Sequence, residues 1–264
     1  MIYLHGTPGS RVGPFPLGRV LYELGVRLVS FDRPGYGGSD RQPGRRVADV
    51  ARDVEAIADE LGLAEFAVVG RSGGGPHALA CAALLRGRVT RAGVLVSLAP
   101  RAAEGLDWFA GMSESNVREF TTAASEPERL IETLAQVADQ VQADPTSLVP
   151  ALGPEMPAAD RRVVADKGIR QLLVKNFAEA LRESAAGWFD DDLALINPWG
   201  FDLSEIQVPV LLWHGENDQF SPAAHTRWLA RQISGAELWV GPGAAHFGAL
   251  EVVPDVLSWL IRQN

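Results

Sequence analysis

The chain of 264 residues has one cysteine, Cys81, so it cannot close an intramolecular disulfide. That residue stands on an alanine-rich stretch and reads as core packing rather than a reactive thiol. Basic charge is scarce as well: 24 Lys and Arg against 33 Asp and Glu leave a formal net charge of -9. Such a balance excludes the clustered cations that a nucleic-acid backbone demands. No apolar run approaches the roughly 20 residues that cross a bilayer. Met1 leads directly into an apolar stretch without a basic segment or a small-residue cleavage site. These absences predict a cytoplasmic protein with no membrane or nucleic-acid partner, acting on a small molecule.

What is present is apolar mass and alternation. With 47% hydrophobic residues the chain can bury a sizeable core, as one large domain or one domain with an insertion. Residues 2–4, 26–31, 66–69, 93–98, 208–213 and 237–240 read as strands. Helical spacing marks residues 16–24, then Val47, Val50, Ala51, Val54, Ile57, Ala58 and Leu61, then 76–85, and a last amphipathic helix after residue 248. Strands that alternate with helices predict an α/β fold with a mostly parallel, doubly wound sheet.

Residues 101–202 break this rhythm. Leu130, Ile131, Leu134, Val137 and Val141, then Ile169, Leu172, Leu173, Phe177 and Leu181, recur at helical spacing with no strand between them. The expectation is a helical insertion over 101–202 in a core made of 1–100 and 203–264. Trp108, Phe109 and Met112 mark its entry and Trp188, Phe189, Trp199 and Phe201 its exit, where they line a substrate cavity or pack the insert on the sheet. Asp190, Asp191 and Asp192 point three ways on a helix, which argues against a metal site and for a solvated helix start. No cofactor or metal is expected.

The chemistry centres on residues 66–75. An apolar strand stops at Ser72, boxed by Gly70, Gly73 and Gly74, and becomes a helix in which Pro76 is tolerated because it sits in the first turn. A serine at the apex of a strand–turn–helix is strained and needs neighbours without bulk, as in the G-x-S-x-G nucleophile elbow. The competing reading, a glycine-rich phosphate cradle, lacks a following lysine. Residues 208–213 run into His214-Gly215-Glu216-Asn217-Asp218, and 237–240 into a loop ending at His246. A serine, an acid and a histidine are thus delivered to the carboxyl ends of parallel strands, where such sheets bind ligands. A hydroxyl becomes a nucleophile when an imidazole takes its proton, and a carboxylate fixes that imidazole's tautomer. His77, five residues beyond Ser72, points sideways and reads as a helix-surface or pocket-wall residue. The turn at residues 5–10 is a candidate oxyanion loop.

In this order HGTPG at 5–9, DRPGYGGSD at 32–40, GRSGG at 70–74, HGEND at 214–218 and GAAHF at 243–247 resemble the α/β-hydrolase fold superfamily, in particular proline-iminopeptidase-like and esterase-like members. The resemblance implies Ser72 as nucleophile, Asp218 as acid, His246 as base and the N–H groups of Thr7 and Gly73 as oxyanion hole, with the helical insert as the variable cap. Arg71 then stands at a variable position that influences the pocket, with Trp108, Phe109, Met112, Trp188 and Phe189 as its aromatic and apolar wall. His5 is expected to brace the oxyanion loop, and Asp32 and Glu216 are rival acids. A serine at the elbow disfavours the alkyl-halide and epoxide chemistry of carboxylate-bearing relatives. The implied activity is hydrolysis of a small carboxylic ester, lactone or amide; the alternative is a carbon–carbon hydrolase, a lyase or a ligand-binding protein on the same scaffold. An iminopeptidase would need an acid of the insert, such as Glu104, Glu114 or Glu119, to hold the substrate amine. The superfamily also has a leading strand pair for which this chain has no residues. Residues 26–31 are therefore expected at a bare sheet edge, completed by upstream residues or covered by a partner chain as in a homodimer.

Overall fold

The computed structural model describes residues 1–13 and 18–262. Strands β1 (Ile2–Leu4), β2 (Val29–Ser30), β3 (Phe66–Arg71), β4 (Val89–Leu95), β5 (Val210–Gly215) and β6 (Glu237–Gly241) form one sheet in the order β2-β1-β3-β4-β5-β6, every pair parallel. Its strands are apolar on both faces because each face is covered. Val68, Val94 and Leu212 pack with Val50 and Val54 of α2 (Val50–Glu60), Leu79 of α3 (Gly74–Leu84) and Leu229 of α10 (Ala223–Gln232). Their neighbours Val69, Leu95, Leu211 and Trp213 pack on the other face with Val253, Val256 and Leu257 of α11 (Ala249–Leu260). At about 1.5–3 kcal/mol for each such side chain buried, a one-residue slip is prohibitive, so the register fixes which strand ends meet at the top of the sheet.

The expected helix at 16–24 begins on residues outside the described ones; its described part is α1 (Gly18–Glu23). The strand expected over 26–31 pairs only at Val29 and Ser30, because Val26 N–H turns back to Leu21 O at 2.8 Å. Among the described residues β2 pairs with β1 alone and is a sheet edge.

Between β4 and β5 the chain forms α4 (Glu114–Ser125), α5 (Pro127–Ala143), α6 (Leu148–Leu152), α7 (Ala158–Ala165), α8 (Lys167–Ala180) and α9 (Ala186–Ile196), with no strand among the described residues. Local chemistry starts two of them: Ser113 Oγ caps α4, and Asp166 Oδ1 caps α8 by accepting from Ile169 N–H at 2.9 Å. This segment has its own core, including Leu130, Leu134, Ala138 and Val141 of α5, Leu173 and Phe177 of α8 and Trp188 of α9. Tyr36, Phe220 and Phe247, from three loops at the sheet's carboxyl edge, complete that core. The helices therefore sit on the loops that carry the candidate site.

Candidate active site

Ser72 occupies the turn between β3 and α3 with φ 54°, a left-handed conformation that side-chain-bearing residues avoid. The glycines around it answer to contact. A Cβ on Gly70 would lie 2.1 Å from Gly74 O, and one on Gly74 would lie 2.1 Å from Leu4 O. The turn is held by Ser72 N–H to Leu95 O and Gly75 N–H to Ser72 O, both 2.8 Å. Gly73 lies against the loop after β1, since a Cβ there would come within 2.2 Å of Thr7 Oγ1 and 3.3 Å of Thr7 N. Thr7 and Gly73 thus sit side by side next to Ser72.

Asp218 follows β5 and is buried. Its Oδ1 accepts from the N–H groups of Phe220 (2.8 Å) and Ser221 (3.0 Å), and its Oδ2 accepts from Nδ1–H of His246 at 2.8 Å. Oδ2 also lies 3.1 Å from Nε2 of His214. Burial pushes this carboxyl up, but His246 and His214 outweigh burial and hold it well below the usual carboxylate range. Because Nδ1 of His246 is committed as a donor, its Nε2 carries the lone pair in the neutral ring. His214 is oriented in turn: Nε2–H donates to Ser221 O at 2.5 Å and Nδ1 accepts from Thr226 Oγ1 at 2.6 Å.

Ser72, His246, Thr7 and Gly73 line one cavity of about 240 Å³. Its wall is largely apolar, including Leu98, Phe120, Leu148, Phe177 and Trp188, with Arg71, Glu119 and Asp192 as its charged members. A wider open groove of about 910 Å³ runs past Pro157, Arg162 and Gly243 behind Asp218, but neither Ser72 nor His246 reaches it. Arg71 and Trp188 line the cavity, whereas Trp108, Phe109, Met112 and Phe189 do not. Trp108 is 2% exposed, donates Nε1–H to Ala99 O at 2.9 Å and meets Phe109, Phe120 and His225 edge-on. Phe109 stacks under the Arg101 guanidinium, Met112 joins the same core, and Phe189 packs against Arg41. Nearness in sequence to the sheet's edge put these four on the expected wall; their directions turn them into packing.

The carboxylates of α9 overturn the solvated reading. Asp190, Asp191 and Asp192 stand in mid-helix and are all buried. They do point three ways, but each to an interior partner. Asp190 holds Arg41, Asp191 holds Arg33 and Arg45, and Asp192 meets Glu119 of α4. Asp192 is 0% exposed, and its carboxyl faces that of Glu119. Burial, followed by the charge of Glu119, raises its carboxyl well above the usual range, and burial raises Glu119 as well. Glu119 Oε1 accepts from Trp188 Nε1–H at 2.8 Å. Two carboxyls in contact in an apolar wall disfavour each other's ionisation.

His77 is fully buried rather than on a surface. Its Nδ1–H donates to Gly73 O at 2.8 Å, and burial with the nearby Arg33 pushes the ring down to about 3, so it is neutral and structural. His5 accepts from Arg33 N–H at 3.0 Å and donates Nδ1–H to Gly6 O at 2.8 Å, within the turn that follows β1. Of the rival acids, Asp32 accepts from Arg11 N–H at 2.7 Å, and Glu216 is exposed and pairs with Arg227 at 3.8 Å. Sequence reasoning missed Val96, whose φ of 47° lets its carbonyl accept from Ser221 Oγ at 2.7 Å beneath the acid loop. Nothing in a Val-Ser dipeptide signals that bend.

Among the described residues no group of three or more His, Cys, Asp or Glu could hold a metal ion, and no helix is long and apolar enough to cross a membrane. In comparison with known proteins, the chain is 27% identical over 256 residues to the 2-hydroxy-6-oxononadienedioate/2-hydroxy-6-oxononatrienedioate hydrolase of Escherichia coli strain K12, covering 95% of this chain and 82% of that protein. Solved structures with the same fold include an enol-lactonase from Burkholderia xenovorans LB400 (TM-score 0.65, 21% identity, 99% of this chain and 90% of that one). The esterase RhEst1 from Rhodococcus sp. ECU1013 is alike at TM-score 0.66 and 21% identity, over 98% of this chain and 89% of that one. The alpha/beta hydrolase fold matches residues 1–251, and the chain belongs to that family, whose membership supports hydrolysis as its chemistry.

Proposed function

We propose that this protein is a serine hydrolase that cleaves a small carboxylic ester, lactone or amide through an acyl-enzyme on Ser72. Asp218 holds the imidazole of His246 by Nδ1–H, leaving Nε2 to take the Ser72 proton as Oγ attacks the carbonyl and to return it to the leaving group. The N–H groups of Thr7 and Gly73 take the oxyanion; one such donor is worth roughly 10²–10³ in kcat. Water then repeats the sequence on the acyl-enzyme. The observation that carries this reading is the Asp218–His246 hydrogen bond at the wall of a cavity whose floor is the strained Ser72. The helical segment acts as the cap that shapes this cavity, and the substrate is a small molecule met without a cofactor.

The second reading, carbon–carbon hydrolysis, is favoured by the curated relative. That relative's name describes a dicarboxylate, and here Arg71 makes no salt bridge among the described residues and faces the cavity. The Glu119–Asp192 pair weighs the other way, since it sets two acceptor-bearing carboxyl groups in the cavity wall. It favours an acyl group with hydrogen-bond donors, a protonated amine above all. The test is a panel of p-nitrophenyl esters, lactones, aminoacyl amides and a vinylogous 1,5-diketone, each run beside Ser72→Ala. Turnover of esters, with an aminoacyl ester preferred to its uncharged isostere, supports the first reading; turnover of the diketone alone supports the second.

A further inference from the structure

Each loop of the candidate site is bonded to a different helix of the inserted segment. Asn116 of α4 donates Nδ2–H to Phe220 O at 2.9 Å in the acid loop. Asp160 of α7 accepts from Phe247 N–H at 2.7 Å, next to His246. The third contact differs, because it is ionic and fully enclosed. Asp191 of α9 is 0% exposed and sits where the oxyanion loop, the 32–40 loop and α9 converge.

The carboxylate gathers donors from both core loops. Its Oδ2 accepts from Thr7 Oγ1–H at 2.5 Å, from Tyr36 OH at 2.8 Å and from Arg33 Nη2, and its Oδ1 lies 2.6 Å from Arg45 Nη2. Arg33 in turn donates to His5 O and to Gly6 O (3.1 Å), the carbonyls just before Thr7. The other half of the oxyanion pair is reached through His77, whose Nδ1–H holds Gly73 O and whose Nε2 lies 3.9 Å from Asp191 Oδ1. Backbone also fits here: Gly187 N–H donates to Gly35 O at 3.0 Å, so α9 and the 32–40 loop meet without a gap.

We infer that Asp191 is a positioning residue for the oxyanion hole: through Thr7 Oγ1 and Arg33 it fixes the N–H of Thr7 against that of Gly73, so that the helical segment assembles the reaction centre as well as covering it. An oxyanion hole works by preorganisation, and its donors must be set before charge develops. A loop of Gly, Thr and Pro has no regular ladder to set it, so the side chain of Thr7 does so. Burial opposes the charge on Asp191, but Arg33 and Arg45 hold it well below the usual carboxylate range, so the anchor stays ionised through the working pH. The inference rests on the acyl-enzyme reading.

The test uses a p-nitrophenyl ester, with rates expressed per Ser72 titrated by fluorophosphonate. Asp191→Asn leaves Arg33 and Arg45 without their shared counter-charge and risks unfolding, so the leading variant is Thr7→Val, which replaces the hydroxyl with a methyl group and keeps both buried charges. The expected result is a fall in kcat of tenfold or more with KM within twofold, and recovery of most of it in Thr7→Ser. Asp191→Asn, where it folds, should cost less on the Thr7→Val background than alone. Arg41→Gln, which breaks the ion pair of the adjacent Asp190, is the control: it should lower Tm and leave kcat per labelled site within twofold. The inference is overturned if Ser72 still labels and Thr7→Val turns over within twofold of the parent, or if Thr7→Val and Arg41→Gln lose rate in parallel with their loss of Tm. A parent enzyme whose Ser72 never labels overturns the acyl-enzyme reading instead, and this inference with it.

Discussion

Oδ2 of Asp218 accepts the Nδ1–H of His246 at 2.8 Å. The bond sets which nitrogen of the imidazole is free, and it carries a kinetic consequence. Asp218→Asn keeps the shape but can present an amide donor to Nδ1, favouring the wrong tautomer; kcat should fall by roughly 10⁴ with the fold intact by circular dichroism. Asp218 is held well below its usual range, so stability drawn from its charge is present above about pH 4 and is lost as pH falls further. A fall of kcat/KM on the acid side between pH 5 and 8 should therefore not belong to Asp218.

Nor should such a limb belong to His77. Burial and Arg33 push this ring down to about 3, below that range. His77→Ala, whatever it does to the rate through Gly73 O, should leave the midpoint of the acid limb in place, while His246→Ala removes nearly all turnover. A shifted midpoint in His77→Ala would contradict the assignment.

Trp188 and Trp108 should behave in opposite ways. Trp188 lines the cavity, and its truncation to Ala should reorder the preference for acyl chain length, read as kcat/KM over C2 to C8 p-nitrophenyl esters. Trp108 lies in the core with three ring neighbours; Trp108→Ala should cost about 3–5 kcal/mol in stability and leave the order of preference as it was.

The Glu119–Asp192 pair gives stability a pH dependence of unusual sign for acids. Both carboxyls are raised, so between their unfolded values of about 4 and their folded ones the folded state holds more protons than the unfolded chain, and stability falls as pH rises through that window. Asp192→Asn removes the cost. Its Tm relative to the parent should climb between pH 4 and pH 8, by roughly 2–4 °C for each 1 kcal/mol relieved. A difference that stays flat with pH would show that the two carboxyls are not raised in the folded state.

Much of the fold could be read locally. The apolar runs and helical repeats located all six strands and the long helical segment, because each face of the sheet demands its own set of side chains, but the strand expected over 93–98 runs from Val89 to Leu95 instead, its start masked by the polar Thr90 and Arg91. Ser72 was legible for a similar reason: Gly70 is required by its contact with Gly74 O four residues on, so the sequence around the serine carries part of its geometry, although Gly74 is required by the distant Leu4 O. Asp191 was illegible. Its partners Thr7, Arg33 and Arg45 lie more than a hundred residues away, and three aspartates in a row look solvated until those cations are seen to enclose the middle one. Trp108 was misjudged because adjacency to a strand end fixes where a residue starts and not which way its ring turns. β2 proved shorter than its apolar run because the chain bends back at Val26.

The central claim is a covalent acyl group on Ser72. Mixing the enzyme with a p-nitrophenyl ester, quenching in acid within the first turnovers and weighing the intact protein should show the added mass of the acyl group, mapped by fragmentation to the peptide containing Ser72 and absent from Ser72→Ala. Turnover at full rate by Ser72→Ala, or an adduct on any other residue that forms and decays at the turnover rate, would contradict the account.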